Sequence, residues 1–205
     1  SQWRADVGAL NRGSAATSVA FTLYASGQTY TASSSNPIAA GAQAVFADLV
    51  GQLQLTVTGH LKIEATQPLT VTARIFNQSA TGTFGQGMDG FVASDGLSAG
   101  QEAFLPLLSQ SSSFRTNIGF SNMSTSSATV TVTLYRPDGT QVGSFNVDIP
   151  AGQWRQDNEP FRVRFNQTNL TGGYAKVRVV SGSGVITYAS VVDNATNDPT
   201  TVAMK

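Results

Sequence analysis

Through most of this chain apolar and polar residues alternate with period two, in short runs separated by Gly, Pro, Asn and Asp. The clearest run is Ala128-Thr-Val-Thr-Val-Thr-Leu-Tyr135, in which Val130, Val132 and Leu134 share one side and the threonines the other. Successive side chains of an extended strand point to opposite faces, so this run predicts a half-buried antiparallel strand. It closes in Arg136-Pro-Asp-Gly-Thr140. Pro137 presets φ and Gly139 admits φ > 0, so a tight hairpin into a strand over Gln141 to Ile149 is expected. Pro150-Ala-Gly152 marks the next turn, and Ser181-Gly-Ser-Gly184 joins two more predicted strands, Tyr174 to Val180 and Val185 to Val192. Earlier in the chain the same pattern predicts strands at Trp3 to Leu10, Ser18 to Ala25, Gln43 to Leu49, His60 to Thr66 and Leu69 to Phe76. Only Ala42 to Val50 offers an alternative reading as a short helical turn.

The two sets of strands are copies. Trp3-Arg-Ala-Asp-Val-Gly-Ala-Leu-Asn11 returns as Phe114-Arg-Thr-Asn-Ile-Gly-Phe-Ser-Asn122, an offset of 111 positions. Without a gap the same offset aligns Val19 with Val130, Leu23 with Leu134, Tyr24 with Tyr135, Ile38 with Ile149 and Gly41 with Gly152. Downstream, small gaps bring Gly59-His-Leu-Lys-Ile63 onto Gly173-Tyr-Ala-Lys-Val177, and Thr70 to Asn77 onto Ile186 to Asp193. An internal repeat of this kind means one ancestral domain present twice. The expected fold is all-β: two tandem antiparallel β-sandwiches of immunoglobulin or fibronectin type III kind.

The boundaries expected are a first sandwich over 1–80, a linker over 81–100 and a second sandwich over 101–205. Gly and Ser dominate Ser79 to Ser113, yet Ala103-Phe-Leu-Pro-Leu-Leu108 is apolar. A pure linker has no use for Phe104, Leu105 and Leu107, so Gln101 to Ser109 is read as an extra first strand of the second domain. Pro106 restricts it to an edge or a bulge. No such strand precedes Trp3.

Composition adds location and excludes partners. Charged residues make up only 12% of the chain, about half the usual ~25%. The surface is therefore polar mainly through hydroxyls, amides and bare backbone. Twelve basic residues balance twelve acidic ones and are scattered, so neither nucleic acid nor an anionic membrane surface is expected as a partner. No apolar run approaches the ~20 residues of a membrane span, and Ser1 opens no leader pattern, so a processed start is expected. The absence of cysteine, with scarce lysine, fits an exported protein that avoids dependence on oxidation.

The residue types that carry chemistry are thinly spread. His60 is the one histidine, and its counterpart is Tyr174, so the duplicated fold does not require imidazole there. Glu64, Glu102 and Glu159 lie far apart in sequence and form no evident glycosidase pair. Calcium is weighed at Asp89 and Asp95 and at Asp193 and Asp198, where turn chemistry explains the same residues. No cofactor is expected. Trp3 with Arg4 recurs as Phe114 with Arg115, either as an aromatic plug or as a stacking surface, and Trp154, facing Gln43, is the better single candidate for an exposed contact. Asn-x-Ser/Thr sequons stand at Asn77, Asn122, Asn166, Asn169 and Asn194.

The aromatic-Arg-x-Asp/Asn-aliphatic-Gly opening, the Asn followed by a Ser/Ala/Thr-rich turn, the alternating strand ending in Leu-Tyr, the Ile-x-Ala-Gly turn and the connecting Gly82-Thr-Phe-Gly-Gln86 resemble a family of β-sandwich repeats in exported bacterial proteins. The resemblance implies an extracellular or cell-surface module. The expected role is non-catalytic: spacer, adhesin segment or subunit of a surface fibre or filament joined by β-strand contacts. Partners would be other copies of itself or neighbouring domains. The interaction residues are Trp154, Trp3, Arg4, Phe104, Leu105 and Leu107. The alternative is a carbohydrate-binding module of a secreted enzyme, with polysaccharide as its ligand.

Overall fold

A computed structural model describes residues 3–25 and 27–205. Ser1, Gln2 and Ser26 lie outside the described residues, and with them the expectation of a processed start at Ser1. The chain divides into two compact units, Ser1–Gly90 and Phe91–Lys205.

The first unit runs β1 (Trp3–Asn11), β2 (Val19–Ala25), β3 (Gln28–Ser33), β4 (Gln43–Phe46), α1 (Leu49–Gln52), β5 (His60–Ala65), β6 (Leu69–Ser79) and β7 (Gly82–Asp89). Its strands form the antiparallel sheets β4-β1-β6-β7 and β3-β2-β5. Val7 and Ala9 of the first sheet meet Val19 and Phe21 of the second, with Ile38 and Leu49 closing the ends of this core. The alternation read in the sequence thus becomes one apolar face per sheet, and stacking those faces removes both from water.

The second unit runs β8 (Glu102–Gln110), β9 (Phe114–Asn122), β10 (Ala128–Tyr135), β11 (Gln141–Ile149), β12 (Trp154–Asn158), α2 (Pro160–Phe165), β13 (Leu170–Ser181), β14 (Val185–Asp193) and β15 (Pro199–Ala203). Its sheets are β11-β10-β13-β8 and β12-β9-β14-β15, again antiparallel. From β1 to β7 each element of the first unit has its counterpart from β9 to β15, and β8 alone has none. The second and fifth strands pair, as do the third and sixth, as in immunoglobulin sandwiches. The first strand instead lies beside the sixth and the seventh beside the second, so two strands have exchanged sheets relative to that topology.

The duplication extends to buried polar geometry. Asn11 donates from Nδ2 to the carbonyls of Ala15, Ile38 and Ala39 and accepts the Gly13 N–H. Asn122 donates to Ser126, Ile149 and Pro150 and accepts the Ser124 N–H, position for position at the same offset. Each asparagine ties the end of one strand to two loops, adding a second hydrogen bond to carbonyls such as Ile38, Ala39 and Pro150 that also accept from backbone N–H groups.

Two expectations are corrected. The stretch read as a linker over 81–100 contains β7, paired with β6 from Thr72↔Asp89 to Ser79↔Gly82. Its glycines hid the alternation, and at Gly85 a Cβ would stand 2.4 Å from the Phe76 Cβ and 2.5 Å from the Ile75 carbonyl oxygen, so only glycine fits there. The segment Gln43 to Leu49 divides into a short strand and a one-turn helix, and Pro160–Phe165 forms the matching helix that the period-two pattern Phe-Arg-Val-Arg-Phe concealed. Phe161 of that helix is fully buried in the second core. In β8, Leu107 adopts φ 58 and the register breaks between Leu105 and Leu108, which places Pro106 within a bulge as its ring requires.

Candidate functional site at the free edge of the first unit

Overlaying the copies leaves one large difference, the strand beside β5. In the second unit β13 lies between β10 and β8, with Arg178↔Glu102, Val177↔Ala103, Lys176↔Phe104 and Ala175↔Leu105 in register. Leu105 and Leu108 of β8 are fully buried, and with them Ala175, Val177 and Val179 of β13. In the first unit β5 pairs with β2 on one side, and no described strand lies on the other. Leu61 and Ile63, counterparts of Ala175 and Val177, stay partly exposed, and Ala65, counterpart of Val179, is exposed.

The first half of the strand also depends on its neighbour. Leu170 and Gly173, paired with Gln110 and Leu108, are strand, whereas their counterparts Thr56 and Gly59 have irregular backbone. Six buried residues form the first core, against sixteen in the second, among the described residues. Among the described residues the first unit therefore has a sheet edge at β5 where the second unit has β8. Its free edge presents unpaired backbone N–H and C=O groups beside a partly wet apolar strip, the arrangement to which an added strand binds.

The side chains around this edge include Lys62, Glu64 and His60. Lys62 pairs with Glu64 at 2.7 Å on the outer face, where both are exposed. The counterpart Lys176 lies beside β8 and pairs with Glu102 at 3.3 Å, so a lysine here is compatible with a neighbouring strand. His60 packs its ring edge-on to Tyr24 at 5.9 Å, where Tyr174 stacks on Tyr135 in the other copy. The Nδ1 of His60 is buried without a partner, and burial lowers its pKa below the ordinary 6.5. A base whose folded pKa is depressed takes up protons more readily when unfolded, so its contribution to stability is full above pH 6.5 and declines below it. Denaturant titrations at pH 7.5 and 5.5 are expected to show the first unit losing stability at the lower pH, and His60→Tyr to remove that part of the loss.

The other predicted residues fall elsewhere. Trp154 is half-buried, and its Nε1–H donates to the Tyr188 hydroxyl at 3.2 Å. The Tyr188 ring lies across Gly119, where a Cβ would come within 2.3 Å of it. In the first unit Thr72 and Gln43 stand for Tyr188 and Trp154, and a shallow trough of about 380 Å³ floored by Gly8 and Gly87 takes their place. Trp3 and Phe104 are exposed, as is Leu107, whereas Leu105 belongs to the core of its own unit and is not a surface residue. Arg4 is bonded to Asp48, and Asp6 accepts the Asp48 N–H at 2.8 Å; Arg115 instead donates to Asn194 and Asn197. Both arginines brace loops at the ends of their sheets.

Two of the four carboxylates considered for calcium bind backbone. Asp95 accepts the Val92 N–H, and Asp193 accepts those of Ala195 and Thr196. The Thr196 and then the Ala195 amide hold the Asp193 pKa below its ordinary value. Asp89 ends β7 opposite Thr72, and the Asp198 carbonyl accepts the Asp193 N–H. Among the described residues no three His, Cys, Asp or Glu side chains gather as a metal site would need. Glu102 opens β8, and Gln110 at its far end donates to Glu159 at 2.9 Å. Eight residues of strand separate those acids by on the order of 25 Å, beyond the roughly 5–9.5 Å of a glycosidase pair. Glu159 is held ionised by Arg162, which binds both its oxygens, and its pKa lies below the ordinary value for that reason. Asn122 is fully buried with its amide bonded, so that sequon is closed to glycosylation in the folded chain. Which strand forms the sheet edge was not legible in the sequence, because strand order is set by long-range pairing. The chain matches no protein-family model, and neither a curated protein nor a solved structure is significantly similar to it.

Proposed function

We propose that this chain is a non-catalytic structural and interaction module of an exported or cell-surface bacterial protein, acting as spacer, adhesin segment or subunit of a surface assembly joined by β-strand contacts. The observation that supports this reading is a duplicated all-β architecture in which, among the described residues, β5 of the first unit forms an open sheet edge. Exposed sheet edges invite association, and proteins normally cover or blunt them. Among the described residues β8 covers this edge in the second copy and no strand covers it in the first, while the pairings common to both copies persist. The acids and the histidine are each engaged in local structure: Glu64 with Lys62, Glu102 with Lys176, Glu159 with Arg162, and His60 against Tyr24.

The test sets three ligand classes against one another. The full chain is immobilised and panned with a random-peptide library, probed with a polysaccharide panel, and incubated with the same glycans to look for cleavage products. Enrichment of peptides with alternating apolar residues is the expected result. Retention of a polysaccharide that is lost with Trp154→Ala, or release of sugar products, would overturn the reading in favour of a carbohydrate-binding module or an enzyme.

A further inference from the structure

The second unit shows what fits the trough on the outer face of the first. We infer that this trough binds a small phenol, its ring lying across Gly8 between Val45 and Thr72 and its hydroxyl bonded to the Gln43 amide. Tyr188 over Gly119, with its hydroxyl bonded to Trp154, is the template.

Both sites stand on the same frame. Gly8 has Val45 and Thr72 opposite it on the neighbouring strands, and Gly119 has Gln156 and Tyr188 at the same places. At Gly119 a Cβ would stand 2.3 Å from the Tyr188 ring, so that ring requires glycine. At Gly8 a Cβ would meet nothing closer than the Thr72 methyl at 3.6 Å, an ordinary contact, so no described side chain requires glycine there. The floor that receives a ring is thus present in both copies, and one copy alone supplies the ring.

The lining selects the ligand. Val45 is 63% exposed, and with the Thr72 methyl it gives the ring an apolar wall on either side of Gly8. Their strands lie roughly 10 Å apart across β1, which leaves the width of one ring between the two side chains. Gln43 holds the position of Trp154, and its Nε2 lies 4.0 Å from where a Gly8 Cβ would stand. The Tyr188 hydroxyl lies 2.6 Å from the same point at Gly119, so a ring over Gly8 brings its hydroxyl within reach of the amide. An amide both donates and accepts, as a hydroxyl does. Sugars stack on aromatic side chains, and none lines this trough. A polypeptide finds no strand pairing on this floor, because β1 and β6 are paired on both sides. The volume, about 380 Å³, lies at the small end of the roughly 300–1,000 Å³ of small-ligand sites.

The probe is phenol, titrated onto the isotope-labelled full chain with backbone amide shifts as the readout. Saturating shifts at Gly8, Val45 and Thr72 are expected, with a dissociation constant on the order of 1 mM for so few atoms. Benzene should bind about fivefold more weakly, the worth of one hydrogen bond. Gln43→Ala should bring phenol down to the level of benzene and leave benzene unchanged. Thr72→Tyr with Gln43→Trp installs the pair of the second copy and should abolish binding of both. Gly8→Ala meets only ordinary contacts, so it should fold and weaken both ligands about tenfold. Shifts that do not saturate, equal affinity for phenol and benzene, or unchanged binding by Gly8→Ala overturns the inference. Tighter binding of methyl glucoside at the same amides overturns it in favour of a sugar, and tighter binding of N-acetyltyrosine amide in favour of a protein side chain. This face is separate from the strand contacts proposed above, so neither result bears on the other.

Discussion

Replacing Asn122 with alanine is expected to destabilise the second unit by about 3 kcal/mol, a large share of the 5–15 kcal/mol that holds a typical domain together. The side chain is fully buried and donates to three carbonyls, of Ser126, Ile149 and Pro150, while accepting from the Ser124 amide and hydroxyl. Alanine removes the donor and leaves the Ile149 carbonyl buried without this partner. The loss therefore exceeds that of a single hydrogen bond, because several bonds of one buried side chain are lost together. Asn122→Asp preserves shape but replaces the amide donor by an acceptor aimed at carbonyl oxygens, and should cost at least as much. Asn11→Ala is expected to act in the same way on the first unit, since Asn11 makes the equivalent bonds. The chain has one tryptophan in each unit, Trp3 and Trp154. With Trp3→Phe, which installs the residue found at position 114, fluorescence-detected denaturation reads the second unit alone. A shift in midpoint below that expected for 1 kcal/mol would show that the asparagine is dispensable.

Leu105→Ala is the second large effect expected, about 2–5 kcal/mol from the second unit, with the first unit's transition unchanged. Leu105 has no exposed surface and stands opposite Ala175, the smallest side chain on the core face of β13. Truncation opens a cavity that this small neighbour cannot fill, so the penalty should lie toward the upper end of the range. The consequence reaches beyond packing. Weakening β8 brings the second unit closer to the state of the first, with a partly wet strand at an open edge. Hydrogen exchange along Leu170–Ser181 is then expected to accelerate, approaching that of His60–Ala65 in the unaltered chain, which measures how much of the second unit's stability the extra strand supplies. If exchange along that strand is unchanged, β8 is not what protects it, and the comparison between the copies loses its energetic basis.

Much of this architecture was legible in the order of residues. The strand Ala128–Tyr135, the hairpin through Pro137 and Gly139, and the strand Gln141–Ile149 fall where the alternation and the turn residues placed them. Local chemistry decides such features: Gly139 adopts φ 84 and closes the turn by donating to the Arg136 carbonyl, whatever the rest of the chain does. The unusual apolar run after Ala103 announced β8, and its Pro106 announced the bulge. Strand β7 was hidden by its glycines, of which Gly85 is required by the close approach of Ile75 and Phe76 on the paired strand, a contact that no window of sequence contains. Trp154 looked like an exposed contact because its counterpart is Gln43; its bond to Tyr188, 34 positions away, could not be read from either residue.

By itself the sequence determined that one β-rich unit occurs twice and that an apolar strand precedes the opening strand of the second copy. Periodicity and turn residues encode these things locally. Only the tertiary structure decided which sheet the extra strand completes. Backbone hydrogen bonds are the same for every residue pair, so strand order follows from which apolar faces fit across the core, and that places β8 on β13 and leaves β5 open.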